Sequence, residues 1–118
     1  MVDQLELTWE TGSLPAPILH LRGRLDTAGA KRLREAALVS LKDSGELNLV
    51  VDLAEVDFVA STGLAIFLLL TEEFVEAKGT IVFVNATPAV MQVISLLNID
   101  QFLKLETSAE AAFALIGA

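Results

Sequence analysis

The chain is 118 residues long, with 53% hydrophobic residues before its 7 glycines are counted; a typical globular domain reaches ~45–50% with glycine included. A net charge of −8, from 16 acidic and 8 basic side chains, argues against unaided binding to DNA, RNA or an anionic membrane, since those partners need basic patches. With no cysteine there is no disulfide framework, no thiolate zinc site and no thiol nucleophile, and the length fits one domain, residues 1–118, with room for a real core.

Leu5, Leu7 and Trp9 alternate with Glu6, Thr8 and Glu10, a period of two that predicts a half-buried strand. Thr11-Gly12-Ser13 is a turn, and Pro15 and Pro17 keep its exit extended. Ile18, Leu19 and Leu21 begin a second strand, closed by Gly23, so the pair reads as a hairpin. Asp26-Thr27 caps a helix in which Ala30, Leu33, Ala37 and Leu41 recur at helical spacing, ended by Ser44-Gly45. Leu47 to Leu53 is apolar on both faces, as a central strand should be, and Phe58-Val59 extends the same direction. Asp52, Glu55 and Asp57 read as a solvated acidic loop. Ser61-Thr62-Gly63 opens a helix from Leu64 to about Ala77, closed by Lys78-Gly79. Thr80 to Val84 is another central strand. Thr87-Pro88 starts a helix with a polar cap and Pro in its first turn, carrying a stripe of Val90, Ile94 and Leu97. Phe102 to Leu105 is a short edge strand. Thr107 and Glu110 form a capping box before a last stripe of Ala109, Phe113 and Ile116. The order ββαβαβαβα predicts an α/β fold: a mixed, mostly parallel sheet of about five strands with about four helices.

The N-terminus lacks a basic segment followed by an apolar run, so no targeting signal is expected. The longest apolar run, Gly63 to Leu70, falls short of the ~20 residues a membrane span needs. A cytoplasmic protein without membrane insertion is expected. Charge is uneven: residues 22–42 carry a net +4 and residues 43–77 a net −8. Because the apolar run lies inside the second stretch, the expectation is one acidic surface around an apolar helix, serving as the partner-binding face.

Little points to an enzyme. His20 is the one histidine and sits inside a predicted strand, where a structural role is the simplest. Asp52, Glu55 and Asp57 offer oxygen ligands for Mg²⁺, but solvating their loop is the more economical role. Ala60-Ser61-Thr62-Gly63 has one Gly and no Lys, unlike a phosphate-binding loop, and Val59 excludes a G-x-S-x-G elbow. No cofactor is expected; weak nucleotide binding at loops after the strands stays open. What remains is a strand leading into Ser61-Thr62-Gly63 at a helix start, the end of an α/β sheet where functional sites gather. Helix capping is the simplest role for both hydroxyls. The same position also tolerates a phosphate, by ~0.3–1 kcal/mol from the helix dipole and free N–H groups.

Leu49 to Leu70 resembles the signature of STAS domains, the sulphate transporter and anti-sigma factor antagonist domains: an apolar strand ending in Asp-Leu, a short loop, then Asp-Ser-Ser/Thr-Gly-Leu opening a helix. Gly23-Arg24-Leu25-Asp26, Leu33-Arg34-Glu35, Lys78-Gly79 with the segment after it, and Thr107 to Ala112 are similar to the family's remaining segments. The resemblance covers nearly the whole chain, and it rests on the order and spacing of these motifs together.

The resemblance implies a non-enzymatic regulatory module of bacterial transcription, an anti-sigma factor antagonist. Its partner would be an anti-sigma factor that is itself a serine kinase. The acceptor position falls on Ser61, with Thr62 as cap or secondary acceptor and Asp26 as the acidic residue near the site. The expected contact residues are Asp26, Asp57, Ala60, Ser61, Thr62, Gly63, Leu64 and Phe67. Phosphorylation adds about −1.5 to −2 charge, expected to meet the acidic stretch and weaken binding. One departure stands out: Ala60 replaces the family's Asp before the acceptor. It opens the alternative of a STAS subunit in a lipid-transport ATPase complex or signalling scaffold, docked without a phospho-switch. A weak homodimer also stays open.

Overall fold

The computed structural model describes residues 4–117. Its strands are β1 (Glu6–Glu10), β2 (Ile18–Leu25), β3 (Asn48–Val59), β4 (Thr80–Val84) and β5 (Leu105–Glu106). The helices are α1 (Thr27–Leu38), α2 (Ser61–Glu76), α3 (Pro88–Leu96) and α4 (Ala109–Gly117). The strands lie side by side in chain order. β1 runs antiparallel to β2, and every later pair is parallel. The mixed, mostly parallel sheet expected from the sequence is the one found.

Strand periodicity sorts the core into two layers. Leu19, Leu21, Leu49, Val51, Ile81 and Phe83 face α1, α2 and α3 and bury Leu33, Phe67, Leu70, Phe74, Val90 and Ile94. The rings of Phe67 and Phe83 sit 4.4 Å apart at this contact. On the opposite face Ile18, Val50, Val82 and Val84 pack on Ala112 of α4, with Phe113 and Ile116 beside it. Burial on both faces explains why β3 and β4 are almost continuously apolar at their beginnings.

The acidic stretch is not a loop. β3 runs unbroken through Asp52, Glu55 and Asp57 to Val59. His20 lies opposite Asp52, Arg22 opposite Glu55, Gly23 opposite Val56 and Arg24 opposite Phe58. β3 therefore takes up one extra residue at each of two places. The insertions turn Leu53, Val56 and Val59 inward at a spacing of three, and alternation, the usual mark of a strand, disappears.

Other boundaries shift for local reasons. α2 begins at Ser61, three residues before the expected Leu64. α1 passes into a π-helical turn, Val39–Asp43, that buries Leu41. The edge strand expected at Phe102 to Leu105 is found at Leu105–Glu106, because Phe102 closes a 3₁₀ turn, Asp100–Phe102, and is exposed. Ser108, not Thr107, caps α4: its hydroxyl accepts from the Ala111 N–H at 3.1 Å. α3 starts as expected, with the Thr87 hydroxyl accepting from Val90 N–H and Pro88 in the first turn. After α2 the chain must pass Leu47, and a Cβ on Gly79 would stand 1.9 Å from the Leu47 carbonyl oxygen, so only glycine fits. Among the described residues no helix is long and apolar enough to cross a membrane.

Candidate partner-binding site

β2 and β3 are parallel neighbours, and each leads directly into a helix. Leu25 pairs with Val59 at their ends, and the Ala60 N–H donates to the Leu25 carbonyl at 2.9 Å. The starts of α1 and α2 are thereby brought together. The Thr27 and Thr62 hydroxyls share a hydrogen bond of 3.0 Å across the gap. The sequence marked Thr27 only as part of a helix cap; the strand pairing is what places it beside Thr62.

The two starts are built differently. Asp26 caps α1, its Oδ1 accepting from the Gly29 N–H at 2.8 Å. At α2 the capping position is Ala60, extended at φ −82° and ψ 161°, and no side chain accepts there. Ser61 and Thr62 are thus not the caps expected of them: they are the first two helical residues, and both are exposed. No acidic residue lies in the first turn of α2. The end therefore carries free N–H groups and the positive pole of a helix, with an exposed hydroxyl beside them.

The expected contact residues divide. Ser61, Thr62 and Asp57 are exposed, while Asp26 and Ala60 are half-buried. Gly63, Leu64 and Phe67 face inward, and this corrects their assignment as contacts. Leu64 is 2% exposed and Phe67 0%. A Cβ on Gly63 would stand 3.0–3.1 Å from Val59 and Leu25, so this glycine lets the first turn sit directly on the sheet. The outward stripe of α2 instead runs through Ser61, Ala65, Leu69 (37% exposed) and Glu72. Counting fours from Ser61 finds most of it, because residues i and i+4 share a helix face.

The acidic residues do not gather around Ser61 either. Asp52 accepts from Asn85 Nδ2 at 3.1 Å and from the Ala54 N–H at 3.0 Å, and also contacts His20. Glu55 pairs with Arg22 at 3.2 Å. Glu73 pairs with Lys42 at 3.4 Å. Glu72, Glu73 and Glu76 lie at the far end of α2, about 16 Å or more from Ser61 at 1.5 Å per residue, beyond a Debye length of ~8 Å. Of the acidic residues in 43–77, Asp57 is the exposed one that stands close to Ser61 in sequence, at the end of β3. In place of the expected single acidic face, three of the eight acidic residues, Asp52, Glu55 and Glu73, are engaged by partners at separate places. Beside Asp57, Phe58 lies under the Arg24 guanidinium, 4.1 Å from its ring centre.

A five-stranded, mostly parallel sheet with an exposed serine opening its second helix places the chain among proteins with the fold of anti-sigma factor antagonists. A solved anti-sigma factor antagonist from Mycobacterium paratuberculosis superposes with a TM-score of 0.84 at 25% identity, covering 98% of this chain and 97% of that one. The unphosphorylated form of the anti-sigma factor antagonist SpoIIAA superposes with a TM-score of 0.78 at 18% identity, covering 96% and 98%. The chain belongs to the STAS domain family: the family described as "Mlab, STAS domain" matches residues 11–106. A relative from Bordetella bronchiseptica, named "Putative anti-sigma factor antagonist BtrV", is 32% identical over 97 residues, 82% of this chain and 83% of its own.

Proposed function

We propose that this chain is a regulatory binding module, an anti-sigma factor antagonist, which acts by docking rather than by catalysis. The start of α2 and its outward stripe dock on an anti-sigma factor kinase, and phosphorylation of Ser61, with Thr62 as secondary acceptor, ends the contact. The observation that carries this reading is the exposed Ser61 hydroxyl at an uncapped helix start, next to the start of a second helix. The relatives named as anti-sigma factor antagonists support it.

The physical effect of a phosphate there differs from simple repulsion. The fold tolerates it, since free N–H groups and the helix pole favour an anion. A partner seated on Ala65 and Leu69 would have to strip its water, and a charge loses heavily on transfer to an apolar contact. Modification would therefore act on the complex more than on the free protein.

Incubation with an anti-sigma factor kinase and ATP, followed by mass spectrometry, tests the reading. Phosphate is expected on Ser61 or Thr62; its absence, or its appearance elsewhere, overturns the switch. By calorimetry, Ser61→Asp should bind that kinase more weakly than Ser61→Ala, and equal affinities would contradict the mechanism. Ala60 favours a second reading, in which the same surface holds a transporter ATPase subunit or scaffold permanently. Tight binding to such a partner, unchanged by Ser61→Asp, would identify it.

A further inference from the structure

The sheet carries a polar chain on the face that α4 covers only in part. His20 Nε2 lies 2.7 Å from Glu10 Oε1 on β1, and Nδ1 lies 2.6 Å from Asp52 Oδ2 on β3. Asp52 Oδ1 accepts from Asn85, just after β4. One imidazole therefore joins three strands, and the carboxylate behind it reaches a fourth. Both ring nitrogens meet carboxylates, which accept and do not donate, so only the doubly protonated ring satisfies both.

The surroundings favour that cation. From β1 come Glu10 and Glu6, from β3 Asp52 and Glu55. Arg22, on the same strand as His20, is engaged by Glu55 at 3.2 Å and Glu6 at 4.0 Å. α4 carries one charged residue, Glu110 in its first turn. Partial burial pulls the imidazole pKa down, but hydrogen bonds to Glu10 and Asp52, with their charges, outweigh it and hold the pKa above the ordinary 6.5.

The two contacts are unequal. Asp52 has a side chain 17% exposed and is fixed by Asn85 and the Ala54 N–H; Glu10 is 53% exposed. Glu10 is the last residue of an edge strand of five, whose other end is tied by Arg32 donating to the Leu5 carbonyl. We propose that His20 is a proton-operated clasp: charged, it pins the end of β1 to the sheet; neutral, it keeps its proton on Nδ1 for Asp52 and releases Glu10. The segment freed is the end of β1 leading into Thr11-Gly12, and it carries Trp9, the one tryptophan of the chain.

The sign follows from linkage. A histidine whose folded pKa is raised stabilises the fold below its unfolded pKa and loses that contribution as pH rises through the folded value. The clasp is closed in mild acid and opens toward alkaline pH. This holds whether or not Ser61 is a phosphorylation site.

NMR titration of the single imidazole reads the clasp directly. Expected are a pKa above 6.5, a neutral form protonated on Nδ1 rather than the usual Nε2, and loss of amide-exchange protection confined to β1 as the ring titrates, after correction for the pH dependence of exchange itself. Trp9 emission should titrate with the same midpoint. Glu10→Gln should lower the histidine pKa and flatten the Trp9 titration, and His20→Gln should abolish it. A pKa at or below 6.5, an Nε2-protonated neutral ring, or a Trp9 titration that survives both substitutions would overturn the clasp.

Discussion

The starts of α1 and α2 are near repeats of one another. Asp26-Thr27-Ala28-Gly29 and Ala60-Ser61-Thr62-Gly63 each follow a β-strand, each place a hydroxyl at the first helical residue, and each put glycine three residues after the cap. Both glycines are packed tightly. A Cβ on Gly29 would stand 3.1 Å from Leu5, and one on Gly63 3.0 Å from Val59. The starts differ at the cap itself. At α1 a carboxylate occupies the Gly29 N–H; at α2 an alanine leaves the equivalent position without a side-chain acceptor. The first helix is closed by polar capping, and the second is held by apolar packing beneath it while its pole stays open. A helix end without a capping carboxylate keeps its N–H groups available to an anion, because such a carboxylate would occupy the same groups.

The largest break in this comparison is expected beneath α2. Phe67→Ala removes a fully buried ring packed on Phe83 and should cost about 3–5 kcal/mol in urea unfolding. Leu69, two residues on and outward-facing, should change stability by less than ~0.5 kcal/mol when truncated, as surface positions do. A small loss at Phe67 would mean that packing does not hold this helix. Asp26→Ala should cost less, about 0.5–2 kcal/mol, by leaving the Gly29 N–H without its acceptor. Asp26→Asn, which keeps an acceptor, should recover most of that difference. If Asp26→Asn lost as much as Asp26→Ala, the carboxylate's charge rather than its hydrogen bond would be closing α1.

The element order and sheet class were legible in the sequence because helical and strand periods alternate cleanly from Asp26 onward. The STAS resemblance, carried by the segment around Asp52-Leu53 and Ser61-Thr62-Gly63, agrees with the family match. Two features were not legible. The extra residues in β3 replace alternation with a spacing of three, so a strand reads as an acidic loop. The inward turn of Leu64 and Phe67 could not be told from the run Leu64 to Leu70, which is apolar on every face. An all-apolar helix says that some side must be covered and does not say which. Likewise His20 was legible as a structural residue, but its carboxylate partners come from strands that the hairpin and a crossover bring alongside.

Ala60→Asp sharpens the comparison by making the second start like the first. Ala60 already has the extended backbone of a capping residue, and its carbonyl accepts from the Gly63 N–H at 2.9 Å. A carboxylate at this position would share that N–H with the Ala60 carbonyl, whereas the Asp26 carboxylate takes the Gly29 N–H and leaves its own carbonyl to Ala30. The expected gain is about 1 kcal/mol, seen as a higher urea midpoint with an unchanged slope. It should fade as pH falls through the aspartate range near ~3.9, because a protonated carboxyl loses its attraction to the helix pole. A gain independent of pH would assign the effect to the hydrogen bond alone, and no gain at all would mean that the Ala60 carbonyl already satisfies the Gly63 N–H. Because the new carboxylate takes up N–H groups beside Ser61, the same variant should also lessen the benefit a phosphate draws from the helix pole. The stability difference between unmodified and Ser61-phosphorylated protein should then shift against phosphate by the dipole contribution, ~0.3–1 kcal/mol.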